Sequence, residues 1–222
     1  MAEEALLRMI RRFKVVVFLA CLLPLASLGW KGYNGLLGAN PIEVITHSTG
    51  DCALIFLLIT LALTPLRKLA GQLWLIRFRR MFGLFAFFYV VLHFLTYIWL
   101  DKVFDVHEVL TDVTKRRFIT VGFFGFVLLI PLAITSTSGW IRRLGGRQWA
   151  LLHRLIYVSA LAGVIHYWWL VKADIRKPLE YAFVLGLLLS YRVVVWVFPE
   201  IQPGRGRVLG PGRADVSVKA KA

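Results

Sequence analysis

Six long apolar runs constrain this chain more than any other feature: Val15 to Trp30, Gly50 to Leu66, Phe82 to Leu100, Phe118 to Thr135, Ala150 to Val171 and Tyr181 to Phe198. Each covers about 16 to 22 residues, near the length a helix rising roughly 1.5 Å per residue needs to cross the hydrocarbon of a bilayer. The runs are continuous, which argues against the short alternating strands of a membrane barrel. A water-soluble core could not absorb them, since 59% of the 222 residues are hydrophobic and 18% charged, far from the composition of soluble domains. The predicted architecture is an all-α membrane protein, a six-helix transmembrane bundle over residues 15–198. A short cytoplasmic N-terminus (1–14) precedes it, and a basic, Gly- and Pro-rich cytoplasmic tail (199–222) follows, read as disordered and in contact with anionic lipid.

The net charge of +15 would suggest a nucleic-acid surface on a polar domain. Here the basic residues lie between apolar runs, so no nucleic-acid partner is expected and the charge reads as membrane orientation. Of the 27 Lys and Arg residues, 18 fall on one side: the N-terminus, the stretch Arg67 to Arg80, the stretch Arg142 to Arg154, and the tail. Eight fall on the other side, and Arg192 lies within the last run. The positive-inside rule then puts both termini in the cytoplasm. Trp30, Trp74, Trp99, Trp140, Trp149, Trp168 and Trp169 fall near the ends of runs, where amphipathic rings favour the headgroup layer. The first run follows Arg11, Arg12 and Lys14 as a signal peptide would, but no A-x-A site follows and it reads as a retained anchor. Cys21 and Cys52 form no CxxC or CxxCH spacing, which argues against a disulfide framework, a zinc knuckle and covalent haem. The outer connection Asp101 to Arg117 carries Asp101, Asp105, Glu108 and Asp112. It reads either as a docking surface for a periplasmic partner or as a solvated loop.

Ionisable side chains inside a span are costly and usually face the protein interior. His93 lies in the third run, and His153 and His166 bracket most of the fifth. Both runs travel outward from the basic side, so depths can be compared: His93 is roughly 18 Å above Met81 and His166 roughly 24 Å above Ala150. The pair is expected to face each other in the outer half. Two neutral imidazoles on facing helices are a bis-axial clamp for haem iron, although a lone membrane histidine serves about as often as an interhelical hydrogen-bond partner. The 13 residues between His153 and His166 give a rise of roughly 20 Å and a rotation of roughly 140°, so one straight helix would not aim both at one groove. His153 stays open as a ligand or a boundary residue, with Met81 the only ordinary axial ligand near its depth and Arg79 and Arg80 suited to haem propionates. His47, in THSTG, reads as a contact for a quinone or haem edge, or as part of a helix cap around Thr46 and Ser48. Asp51 reads as a proton carrier or a favourable helix N-terminal charge, and His107 as solvated.

With these residues in place, the chain resembles the haem-binding membrane subunits of bacterial periplasmic methionine sulfoxide reductase systems, the MsrQ family. The likeness rests on NPIEVITHSTGDCALIFLLITLALTPL from Asn40, IRFRRMFGLFAFFYVVLHFLTY from Ile76, TSTSGW from Thr135 and WALLHRLIYVSALAGVIHYWW from Trp149. That family is similar to the membrane part of ferric reductases and NADPH oxidases. The resemblance implies a conduit carrying electrons from the quinone pool or a cytoplasmic flavin reductase through b-type haem, one or two, to a periplasmic molybdopterin methionine sulfoxide reductase. It implies haem-iron ligation by His93, His166 and His153, and it admits FMN, although nothing in this chain reads as a flavin site. The chain departs from the oxidase pattern in lacking a second deep histidine on the third run, and it has no GxGxxG for a dinucleotide of its own. A proton or solute transporter relaying protons through membrane histidines is the alternative from another class.

Overall fold

The computed structural model describes residues 2–198; the tail expected beyond them lies outside the described residues. Among these the chain is helical throughout: α1 (Ala2–Tyr33), α2 (Pro41–Ala70), α3 (Arg79–Thr96), α4 (Val106–Lys115), α5 (Arg117–Ile134), α6 (Ser138–Leu152), α7 (Leu155–Leu170) and α8 (Arg176–Val197). A 3-10 turn (Leu73–Phe78) leads into α3 and a π-helical turn (Tyr97–Asp101) leads out of it. Five helical stretches are long and apolar enough to cross a bilayer, or six if α6 and α7, bent by 41° across His153 and Arg154, make one span.

Local chemistry explains where the helices depart from the apolar runs. α2 starts at Pro41 rather than Gly50, because proline suits the first helical turn and the Asn40 side chain accepts from the Glu43 N–H at 3.4 Å. Thr46 and Ser48 are thus interior to α2, which corrects their reading as caps around His47. Gly71, at φ 64°, ends the helix in the left-handed conformation. Within the acidic connection a short amphipathic helix, α4, forms where a plain loop was one expectation; Asp105 caps it by accepting from the Glu108 N–H at 2.9 Å. The fifth run is broken, so His153 sits at a corner after α6 rather than in a straight helix with His166.

Helix α2 is the innermost element, packed on α3, while α5 packs on α7 and contacts between α3 and α5 and between α2 and α7 close the bundle. α1 and α8 are peripheral and turn Phe18, Leu23, Phe183 and Leu187 outward, as expected where lipid is the solvent. Because lipid tails give no hydrophobic drive between helices, close contact needs small residues. A Cβ added at Gly125 of α5 would lie 3.2 Å from the Ala162 Cβ of α7, and the Ser159 hydroxyl donates to the Gly125 carbonyl at 2.8 Å.

Prolines inside spans set a second requirement, since each removes the N–H owed to the carbonyl four residues back. Pro65 orphans the Leu61 carbonyl, and the Arg192 Nη2 of α8 donates to it at 3.1 Å. A separate bond, from the Tyr89 hydroxyl to the Cys21 carbonyl at 2.8 Å, ties α3 to α1.

Gly125→Leu is expected to wedge α5 from α7 and sharply lower the thermal unfolding midpoint in detergent. Ser159→Ala, which removes only one interhelical hydrogen bond, is expected to cost about 0.6 kcal/mol. Equal effects from the two substitutions would contradict the close-packed seam.

Candidate functional site

The helix pairing brings His93 of α3 and His166 of α7 face to face. Their ring centroids are 6.1 Å apart and the ring planes stand at 79°. Each Nδ1 meets a backbone carbonyl on a neighbouring helix, His93 with Thr46 of α2 at 2.9 Å and His166 with Phe118 of α5 at 2.7 Å. A carbonyl only accepts, so each Nδ1 carries the proton and donates it, and each Nε2 keeps a lone pair.

The two bonds share one construction. Thr46 and Phe118 stand four residues before Gly50 and Gly122, so each imidazole reaches its carbonyl by lying over a glycine one helical turn further along. A Cβ on Gly50 would stand 3.1 Å from the His93 Nδ1, and one on Gly122 would stand 2.6 Å from the His166 Nδ1. Neither glycine was singled out from the sequence, although glycine inside a long apolar helix is a recognised sign of close approach.

Both imidazoles line a cavity of about 480 Å³. Leu54, Phe94, Phe126 and Leu129 make its walls mostly apolar, and Glu43, His47, Asp101 and Arg116 bring polar groups to it. His47 thus shares the cavity with the pair and lies 3.9 Å from Glu43. His107 is exposed on α4. Asp51 accepts from Lys177 at 3.1 Å and Tyr181 at 3.4 Å, so α8 is fastened to α2 there.

The structure separates His153 from this pair. Its ring stacks on Trp149 at 3.9 Å, and its Nε2 lies 3.1 Å from the Thr135 hydroxyl. That hydroxyl donates to the Pro131 carbonyl at 2.6 Å, so it accepts from His153 and Nε2 holds the proton, the reverse of the other two rings. Met81 packs toward Ile10, Leu63 and Phe78. Arg79 is half-buried within Coulombic reach of His153, and Arg80 is exposed. None of His153, Arg79 and Arg80 lines the cavity of the pair.

A family model described as the ferric reductase like transmembrane component matches residues 49–164. A relative from Herminiimonas arsenicoxydans, named protein-methionine-sulfoxide reductase heme-binding subunit MsrQ, is 56% identical over 182 residues, covering 81% of this chain and 84% of its own. Proteins of the same name are 54% identical in Rhodospirillum rubrum, covering 82% of this chain and 87% of theirs, and 50% identical in Bordetella parapertussis, covering 85% and 92%. The chain belongs to the MsrQ family. The ferric reductase-like match includes His93 and His153 and ends just before His166, so the facing pair straddles its boundary.

An ion-pair network holds the end of the bundle nearest the cavity mouth, where Tyr97, Asp101 and Arg116 line it. Lys102 bonds Glu108 and Asp112, Arg116 bonds Asp112 at 3.0 Å, and the Tyr97 hydroxyl donates to Asp112 at 3.1 Å. Burial pushes the Asp112 carboxyl up, but its bonds from Lys102 and Tyr97 and the Arg116 charge outweigh this and hold it below the usual range. Bonds to Glu108 and Asp112 push the Lys102 ammonium above its usual value.

The depressed carboxyl contributes stability above its unfolded value of about 3.9 and loses it as pH falls further; the raised ammonium contributes below about 10.4 and loses it as pH climbs past its folded value. The unfolding midpoint in detergent is therefore expected to stay level from about pH 5 to 10 and to fall on both sides. Asp112→Asn should lower the plateau and flatten its acid limb. An acid limb unchanged in this variant would contradict the assignment.

Proposed function

We propose that this chain is the transmembrane electron-transfer subunit of a periplasmic methionine sulfoxide reductase system, with b-type haem held between His93 and His166. The spacing of the two rings carries this reading. With about 2 Å from metal to imidazole nitrogen and about 1.1 Å from nitrogen to ring centroid, two rings that held one ion between them would stand roughly 6.2 Å apart. The rings here stand at 6.1 Å. Each presents a lone pair at Nε2 while its other nitrogen donates to a fixed carbonyl, the usual outer support of a ligating histidine. The cavity of about 480 Å³ falls within the range of about 300–1,000 Å³ common for cofactor sites.

Bound in such a site, iron porphyrin supplies reversible one-electron chemistry in a medium of low dielectric. His93 and His166 would hold it through Nε2, the Thr46 and Phe118 carbonyls would fix the ring planes, and Leu54, Phe94 and Phe126 would keep water out. Arg116, the only Lys or Arg among the lining residues, has its Nε on Asp112 and its remaining nitrogens for a propionate. The Nε2 of His153 is bonded to Thr135 and no other histidine shares that end, which favours one bis-histidine site over two.

The distribution of 18 basic residues on one side supports six spans with both termini in the cytoplasm of a bacterial inner membrane. In that orientation the imidazole pair, α4 and the acidic connection lie toward the periplasm, where the molybdopterin partner would receive electrons to reduce methionine sulfoxide. The basic end would meet the donor, the quinone pool or a cytoplasmic flavin reductase. A transporter would not need two such imidazoles, each with a free lone pair, lining one cavity.

The purified protein is expected to show low-spin haem bands on reduction, and His93→Ala and His166→Ala are each expected to abolish them. Full haem retention in both variants would overturn the assignment. Gly122→Ala, which pushes a methyl into the His166 ring, is expected to weaken haem affinity by roughly 10- to 100-fold. Gly146→Ala, where nothing lies within 4 Å, is the control and should leave affinity unchanged.

A further inference from the structure

We infer that Arg79 and Arg192, at the basic end of the bundle, form a binding site for an oxyanion, the phosphate or carboxylate of a membrane-borne ligand. Both guanidiniums belong to candidate spans, Arg79 opening α3 and Arg192 lying within α8. Neither forms an ion pair among the described residues. Apart from Glu3 and Glu4 at the start of α1, every described carboxylate lies at the opposite end, on the stretches Glu43–Asp51, Asp101–Asp112 and Asp174–Glu180. Charges inside a span are normally paired or turned toward a polar cavity. Here two like charges stand within Coulombic reach of each other and of Tyr157.

The contacts of Arg192 show what is missing. Its Nη2 serves the Leu61 carbonyl and its guanidinium stacks over the Tyr157 ring at 4.8 Å. Its Nε is fully buried and has no partner among the described residues, and the same holds for the Thr64 hydroxyl, three residues from Leu61 on the same helix. Two buried polar groups without partners among the described residues, one on Arg192 itself and one on α2, which packs against both α3 and α8, call for one shared acceptor. An oxyanion accepts from a guanidinium fork and from a hydroxyl together, and it offsets both charges.

Service to the Leu61 carbonyl alone does not account for the arginine. Any neutral donor would satisfy one carbonyl without placing a charge in the span. The inference is independent of the imidazole pair, whose cavity neither arginine lines.

Pro65→Ala returns an N–H to the Leu61 carbonyl and so frees Arg192 from its backbone role. In that parent, native mass spectrometry of the full-length protein released from neutral detergent micelles reads every retained ligand by mass. We expect a phosphate- or carboxylate-bearing adduct whose occupancy falls about tenfold or more in Arg79→Gln/Arg192→Gln, and which Arg192→Lys keeps in part. A phospholipid mass identifies the leaflet as the source, and a porphyrin or nucleotide mass identifies a second cofactor. A parent without such an adduct, or a double variant that keeps it in full, overturns the site. The bands expected from His93 and His166 are read separately in the same samples, so failure of one assignment is distinguishable from failure of the other.

Discussion

The structure depends on two hydrogen bonds from imidazole to backbone, His93 to Thr46 and His166 to Phe118. In a span no water is present to receive a ring N–H, so each imidazole must find an acceptor inside the protein. Helical carbonyls are already engaged by their own helix, but each retains a second lone pair. The side chain four residues on normally shields that lone pair. Gly50 and Gly122 remove the shield, and a ring can then lie against the helix with its proton on the carbonyl and its other nitrogen turned to the cavity. The same device on two helices gives two lone pairs at one cavity, with each tautomer set by a main-chain atom that no rotamer can move.

The same demand, that backbone groups be satisfied internally, organises the rest of the bundle. α2 supplies the Thr46 carbonyl, Gly50 and Leu54 to the cavity, and further along it carries Pro65, whose missing N–H the Arg192 side chain makes good. α2 therefore takes partners from α3, α7 and α8 along one length, which explains why it is the buried helix while α1 and α8 remain at the edge. Tyr89 is nearly fully buried, its hydroxyl bonded to the Cys21 carbonyl of α1 and its ring stacked on Phe56 at 5.3 Å. Specificity of packing here comes from orphaned main-chain groups more than from the apolar surface, which lipid would accept equally well.

Much of this was legible in the sequence. Run length and continuity identified the helical bundle, and counting depth at 1.5 Å per residue put His93 and His166 at one level. Hydropathy could not mark where α2 begins, because Asn40, Pro41 and Glu43 set the start by capping chemistry outside the apolar run. It also could not mark the corner at His153, since the broken segments α6 and α7 read as one span by composition. Gly50 and Gly122 were invisible as support because their role depends on which ring lies over them, a relation between helices that are distant in sequence. Arg192 was counted as a charge and left without a task, since Pro65 and Leu61 acquire their need for a donor only when α8 packs on α2.

The two ends of the bundle handle charge in opposite ways, and the difference bears on the cavity. At its mouth Lys102 and Arg116 are matched against Glu108 and Asp112 in one closed network, which adds little net field to the neighbouring imidazoles. A matched network of this kind stays matched over a wide pH range, because each ionised form is held by its partners. The position of the proton on each ring is then set by its own carbonyl. At the basic end no such matching exists among the described residues, and an uncompensated positive field points into the bundle. A negative charge moving between the ends would be favoured near Arg79 and Arg192 and released from that pull toward the mouth, so the external ligand that neutralises the arginines sets how steep this gradient is.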